Sequence, residues 1–270
     1  MPTITVVGNQ PSAQVLRDAI ERQAAADTIR KAVVVCWGAR SVTAPAEAAV
    51  LNGTPRADAR EQLTNIAAAG ILVPEWTDQL ALAQSWVREG MLVWGRYWEH
   101  TQGNDIIGPG YRPARLGPAP RPMRPERWNP QWLQREWWVQ VIDPAHIVDE
   151  WRVHIFMGRS ICVGKKVQTG PTVRKQLVRS RANGWTLDFS ATMPEGHPAR
   201  EVARKAVAAV GYQFGAVDLL ELRDGSVMVL EVNSAPALGS PQTINAYTRA
   251  VFMVANGKYQ KWYEGKGNAE

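Results

Sequence analysis

The 270 residues hold 45% hydrophobic and 21% charged side chains, an ordinary globular balance that can bury a sizeable core in one large domain or in two or three subdomains. No apolar run reaches membrane-spanning length, and the opening MPTITVVGNQP lacks a basic segment followed by an apolar signal core, so a cytoplasmic protein is expected. A net charge of +6 points to anionic partners without choosing among nucleotide, acidic substrate and nucleic acid.

Residues 3–8 read as a strand, 11–26 as an amphipathic helix and 32–38 as a second strand. That order predicts a small α/β lead domain on a partly parallel sheet. Gly8, Asn9 and Gln10 lack the GxGxxG spacing of a dinucleotide site and read as a plain turn. Cys36 and Cys162 lie in apolar strand-like runs without a CxxC or histidine partner, so both are expected as buried free thiols. Residues 56–69 form a predicted helix stopped by Gly70, and 71–76 leave it extended. Residues 91–106 predict a strand entering a polar loop in which Arg96 and His100 flank a mobile Gly103; this suits either a flap over phosphates or an ordinary hairpin. Residues 108–130 interleave proline with arginine and predict an extended surface loop or linker. The tryptophans beyond it, Trp137, Trp138 and Trp151 among them, alternate with valine and isoleucine and read as packing residues.

Two hairpins follow. In the first, residues 150–166, a turn at Met157-Gly158 or Gly158-Arg159 makes opposed residue numbers sum to an odd number. Glu150, Arg152 and His154 are then expected on one face with Lys165, and Trp151, Val153 and Ile155 on the other with Lys166. Residues 171–183 are basic, with Arg174, Arg179 and Arg181 beside Asn183, and read as a loop or short helix. Residues 195–211 are an amphipathic helix stopped by Gly211. The second hairpin, FGAVDLLELRDGSVMVLEVNSAPAL at 214–238, turns through Asp224-Gly225, a pair suited to a type I′ turn. A two-residue loop there sets Asp218 opposite Glu231, with Asn233 one pleat further on the same face. Two facing carboxylates repel unless a cation lies between them, and an all-oxygen set suits Mg²⁺. Residues 241–255 predict a helix before a polar tail.

Taken together, AVDLLEL with VLEVNSAPAL, DEWRVHIF and the helix before them resemble the ATP-grasp superfamily, in particular the branch of ribosomal-protein glutamate ligases and small phage-encoded relatives. The match spans roughly residues 51–238. The resemblance implies an α+β fold in which two α+β subdomains clamp ATP between antiparallel sheets behind the α/β lead domain. The implied division is 1–55, a central subdomain at 56–135, a C-terminal subdomain at 136–255 and a polar tail at 256–270. It implies that Asp218, Glu231 and Asn233 hold two Mg²⁺ ions, with Mn²⁺ as a substitute. Glu150 would meet the ribose and Arg152 phosphate or substrate. Gln140, Val141 and Ile142 would form the adenine hinge, stretched by the insertion PAHIV. Lys165 or Lys166 would add a phosphate contact, Arg181 and Asn183 match an Arg-x-Asn segment, and Arg60 and Arg96 stand where the family often has phosphate-binding lysines.

The activity so implied is ATP-dependent joining of a carboxylate to an amine through an acyl phosphate, on an amino acid, peptide or protein. Such chemistry demands positioning and charge neutralisation rather than a protein nucleophile, and the chain shows no convincing Ser/His/Asp or Cys/His set. A location in the host cytoplasm follows if the chain is phage-encoded. Two other readings stay open: a phosphotransferase or non-catalytic ATP-grasp module, and a basic nucleic-acid binder, against which the facing acids argue.

Overall fold

In the computed structural model, residues 2–25, 27–39, 42–53, 57–97, 107–109, 124–169, 179 and 184–259 are described. His100, Gly103, most of the proline–arginine segment, Arg174, Arg181, Asn183 and the tail from residue 260 lie outside them. The lead region runs β1 (Ile4–Val7), α1 (Pro11–Ala24), β2 (Val33–Cys36) and β3 (Ala49–Leu51), with all three strands parallel in the order β1-β2-β3. Helix α1 starts on a proline, whose missing N–H costs nothing there, and buries Ala13, Leu16, Ala19 and Ile20 along one stripe. The third strand was not anticipated, since Ala-Val-Leu is too short to show alternation.

Helix α2 (Ala59–Ala68) is capped by Asp58, whose carboxylate accepts from the backbone N–H of Arg60 and Glu61, and Gly70 ends it in the left-handed region at φ +75°. β4 (Trp76–Thr77), α3 (Leu80–Arg88), β5 (Val93–Arg96), α4 (Pro130–Leu133) and β6 (Trp137–Gln140) make a small subdomain with antiparallel order β4-β6-β5. Its core is aromatic: Trp86, Trp128, Trp132 and Trp138 pack together, with Trp132 fully buried. The tryptophans therefore pack as the sequence suggested.

The large sheet comprises β7 (Ile147–Phe156), β8 (Arg159–Gln168), β9 (Trp185–Asp188), β10 (Phe214–Leu222) and β11 (Val227–Asn233), all antiparallel in the order β11-β10-β7-β8-β9. One face is apolar and is covered by α5 (Pro198–Ala209) and α2: Ile66, Val153, Ala203, Val207, Val217 and Val229 share one core. The last helix, α6 (Pro241–Ala255), carries a capping box at Ser240 and Thr243 and packs against α1 and the lead sheet. Here Trp37, Phe156, Phe214 and Tyr247 stack edge and face at centroid distances of 5.0–6.4 Å.

These packings move the expected subdomain boundaries. α2 belongs with the large sheet rather than the central region, β6 is the middle strand of the small sheet rather than the start of the next unit, and α6 completes the lead core. The reason is that each segment's apolar stripe seeks the largest complementary surface, whatever its place in the chain. Cys36 is buried and Cys162 half-buried, and both are free thiols. Among the described residues no helix is long and apolar enough to cross a membrane.

Both hairpin turns are irregular in instructive ways. Met157 and Gly158 have φ +45° and +78°, a two-residue turn that pairs Phe156 with Arg159 and Ile155 with Ser160, as expected. The register then shifts between His154 and Ile155, so that His154 faces Cys162 and Trp151 faces Lys165. Ile161 is the extra residue, and it reverses the parity of everything beyond it. In the second hairpin the turn holds three residues, Arg223 to Gly225, closed by Leu222 N–H to the Ser226 carbonyl at 2.9 Å with Gly225 at φ +84°. The expected two-residue turn is thus one residue short. A bulge between Asp218 and Leu219 compensates, and Asp218 does face Glu231.

Candidate functional site

A cavity of about 780 Å³ lies between the small sheet and the uncovered face of the large sheet. That volume is within the range of small-molecule sites. The small sheet supplies Trp94, Arg96 and Trp137, and the chain leaving β6 supplies Gln140, Val141 and Ile142. The large sheet supplies Glu150, Arg152, Lys166, Asp218, Glu231 and Asn233. The wall at the β6 end is apolar, formed by Val139, Ile142, Ile147, Leu220 and Leu230, and the charged groups lie beyond it.

At the centre Arg152 and Asp218 face each other across adjacent strands. The guanidinium Nε and Nη2 donate to the two carboxylate oxygens at 2.6 and 2.7 Å, a bidentate pair. Burial by itself would push the Asp218 carboxyl up, but Arg152 overrides it and holds the group below the usual carboxylate range. The same pair acts in reverse on Arg152: burial opposes its charge, and the attraction of Asp218 keeps it protonated. On the next strand Asn233 Nδ2 donates to Glu231 Oε1 at 2.8 Å, so three oxygen-bearing side chains converge on one patch.

Glu150, 6% exposed, sits one pleat from Arg152, with Lys166 Nζ hydrogen-bonded to it and Arg179 Nε 3.9 Å away. Burial pushes its carboxyl up, against the pull of Lys166 and Arg179. Arg179 lies over the Trp185 ring at 4.7 Å, and Arg96 over the Trp137 ring at 5.0 Å. Both guanidinium groups are therefore held flat by aromatic neighbours at the cavity wall. His154 is fully buried behind this row, its Nδ1 3.2 Å from the Tyr247 hydroxyl, and burial lowers its pKa to about 3. It is a neutral packing group.

Of the residues selected from sequence, Arg96, Gln140, Val141, Ile142, Glu150, Arg152, Asp218, Glu231 and Asn233 line one cavity. Two do not. Lys165 is on the opposite face, where it bonds Asp149 at 2.8 Å and lies over the Trp151 ring. The bulge at Ile161 exchanges the two lysines, and Lys166 takes the cavity face. Arg60 is also absent from the cavity wall: its guanidinium is 3.6 Å from Asp78 and 3.8 Å from Asp58 and lies over Trp76, at the foot of α2. Arg181 and Asn183 lie outside the described residues. Arg179 was noted from sequence only as part of a basic run, and its alignment with Glu150 had no local signal. Trp185 and Phe189 on the wall were likewise not selected.

The insertion at 143–149 forms a short turn in which Asp143 caps the N–H of Ala145 at 2.8 Å. Its outer side is tied to the second hairpin, where the Arg223 N–H donates to the His146 carbonyl at 3.0 Å. Pro144 and Ile147 of this segment line the cavity.

Whether these residues suit Mg²⁺ and a nucleotide follows from the donor set. Among the described residues there is no group of three His, Cys, Asp or Glu side chains that could hold a metal alone. Asp218, Glu231 and Asn233 offer two carboxylates and an amide, and Mg²⁺ typically takes one or two carboxylates and completes its shell with water and phosphate. The cations Arg96, Arg152, Lys166 and Arg179 ring the same patch, and the apolar slot continues from it. The residues fit a metal-bridged polyphosphate with a planar base.

Comparison with known proteins agrees with this arrangement. Similar solved structures include the ATP-grasp ligase PsnB complexed with minimal precursor, Mg and ADP, at 13% identity and TM-score 0.61 over 95% of this chain and 96% of that one. D-alanine–D-alanine ligase from Bacillus anthracis is similar at 13% identity and TM-score 0.60, over 98% and 100% of the two chains. The macrocyclase MdnC bound with precursor peptide MdnA, from Microcystis aeruginosa, is similar at 11% and 0.57, over 93% and 98%. At such identities these structures show the shared fold. No protein of curated function matches the chain. The sequence profile of an ATP-grasp domain, clade family 3, matches residues 118–253, half of the chain. The chain has the ATP-grasp fold and belongs to this family of ATP-grasp domains.

Proposed function

We propose that the chain is an ATP-dependent carboxylate–amine ligase that forms an amide through an acyl phosphate. The observation that carries this reading is the patch of Asp218, Glu231 and Asn233 ringed by Arg96, Arg152, Lys166 and Arg179 at the end of an apolar slot. Asp218, Glu231 and Asn233 would hold Mg²⁺, and the ions, when bound, supply neutralisation of phosphate charge. Gln140, Val141 and Ile142 line the slot where the base would lie, and Glu150 is placed for the ribose. Lys166 and Arg179, now on Glu150, are within the same wall as the phosphates and can share their charge with them. Arg152 orients the reacting oxygens, and Arg181 and Asn183 would add substrate contacts, as the family likeness suggests.

In the reaction a substrate carboxylate oxygen attacks the terminal phosphorus and ADP leaves. An amine nitrogen then attacks the carbonyl carbon, phosphate leaves and the amine proton is released to water. No nucleophilic side chain is needed, and the cavity-facing groups act by position and charge. The solved structures with precursor peptides and the D-alanine ligase favour an amino acid, peptide or protein carboxylate as acceptor.

The test is release of ADP that depends on both Mg²⁺ and a carboxylate, followed by trapping of the activated acyl group with hydroxylamine as a hydroxamate. Nucleotide turnover that is indifferent to any carboxylate, or that survives Asp218→Ala with Glu231→Ala, overturns the reading.

A further inference from the structure

β11 is an edge strand, so backbone N–H groups that turn away from β10 need partners outside the sheet. In an unbroken strand such outward donors recur at even intervals. Here Val229 N–H donates to the Leu72 carbonyl at 2.9 Å and Val232 N–H to Gln62 Oε1 at 3.1 Å, three residues apart. The odd interval places the extra residue at Leu230, in agreement with Leu219 facing Val229 while Asp218 faces Glu231.

The bulge decides which way the acids point. If the register near the turn continued, Asp218 would face Leu230 and Glu231 would face Val217. Val217 belongs to the apolar core under α5, so Glu231 and Asn233 would turn away from the cavity. Leu230 instead joins Glu231 and Asn233 on the cavity wall, and Val232 takes the core position.

Gln62 is built to hold that arrangement. It is 5% exposed, on the helix face that also buries Leu63 and Ile66. Both ends of its carboxamide are used, Oε1 accepting from Val232 and Nε2 donating to the Ala57 carbonyl at 3.2 Å. Ala57 is itself anchored by its N–H to the Tyr212 hydroxyl at 3.0 Å. A polar amide in an apolar interface is costly unless so satisfied, and here the satisfaction reaches the peptide between Glu231 and Val232.

We infer that Gln62 is a positioning residue for the ligand strand: its side-chain oxygen, with the Leu72 carbonyl, holds the Leu230 bulge and thereby keeps Glu231 and Asn233 facing the cavity. This rests on the reading of Asp218, Glu231 and Asn233 as metal ligands. The test compares wild type, Gln62→Met, which removes the acceptor at similar length, and Gln62→Glu, which restores an acceptor oxygen and, when protonated, the donor to Ala57.

Mn²⁺ binding is measured with a non-hydrolysable ATP analogue, ADP binding without metal, and exchange of the Val232 amide by NMR. Gln62→Met is expected to weaken Mn²⁺ about tenfold or more, to speed Val232 exchange and to leave metal-free ADP binding unchanged. Gln62→Glu is expected to recover both losses. Unchanged Mn²⁺ affinity in a folded Gln62→Met overturns the inference. If that variant does not fold, wild type alone decides: a Val232 amide exchanging as fast as an unbonded one overturns it, and protection matching the β10–β11 ladder supports it. Absence of Mn²⁺ binding in wild type overturns the ligand reading and the inference with it, whereas a failure confined to the variants overturns the inference alone.

Discussion

Arg152 and Asp218 form a two-bonded ion pair at 2.6 and 2.7 Å in the floor of the cavity, with side chains only 18% and 11% exposed. The pair is both a structural element and part of the proposed site, and these roles separate experimentally. Asp218→Asn leaves a buried guanidinium unmatched and is expected to cost about 3 kcal/mol in urea denaturation. Replacing both residues, Arg152→Met with Asp218→Leu, is expected to recover most of that stability and none of the Mg²⁺-dependent nucleotide turnover. Recovery of turnover in the double variant would remove both residues from the site.

The exchange of faces by the two lysines gives a second test. Lys166→Met is expected to raise the KM for ATP about tenfold, the worth of one charge-assisted hydrogen bond. Lys165→Met removes a partly exposed pair with Asp149 and is expected to change stability by about 1 kcal/mol or less, with KM unaffected. The reverse outcome would mean that the bulge at Ile161 is absent in solution.

His154 makes stability fall in mild acid. Its folded-state pKa is about 3 against an ordinary value of 6.5, so below about 6.5 the unfolded chain takes up a proton that the folded chain refuses. Stability is then lost as pH falls through that window, at most about 1.4 kcal/mol per pH unit from this group. Asp218 acts lower: its pKa is depressed, so its contribution is present above the ordinary carboxylate value and lost only as pH falls through the folded-state value. Denaturation midpoints of wild type and His154→Gln from pH 7 to 4 check this. The variant is expected to show the flatter profile.

Asn52 docks the lead sheet on the large one. It is 3% exposed at φ +56°, its Oδ1 accepts from the N–H of Gln213 at 2.7 Å and Phe214 at 3.1 Å, and its Nδ2 donates to the Phe214 carbonyl at 2.8 Å. Asn52→Ala loses these bonds and keeps the strained backbone, for an expected loss of about 3 kcal/mol. Asn52→Gly loses the bonds but relieves the backbone, and is expected to be about 1 kcal/mol less destabilised. Equal losses in equilibrium denaturation would show that the left-handed conformation carries no cost.

Much of this architecture was legible in the chain. The strand–helix–strand lead, α5 with its stop at Gly211, both hairpins and the packing role of the tryptophans follow from periodicity and turn residues, which act over a few neighbours. The motifs around Asp218 and Glu231 carried the family resemblance, and the ATP-grasp family is the one found. Arg60 shows the limit: a cation near a helix start looks available in sequence, but Asp58 and Asp78 engage it in the fold.

What sequence alone determined was which residues lie on which strands and that each hairpin has one apolar and one charged face. What it left undecided was parity. A strand has a period of two, so one inserted residue turns every later side chain to the other face. Asp218 met Glu231 only because a three-residue turn and the Leu230 bulge cancel, whereas the uncompensated bulge at Ile161 moved Lys165 out and Lys166 in. Only the tertiary structure could decide this, because the partners along β11, Leu72 and Gln62, come from more than 150 residues earlier in the chain.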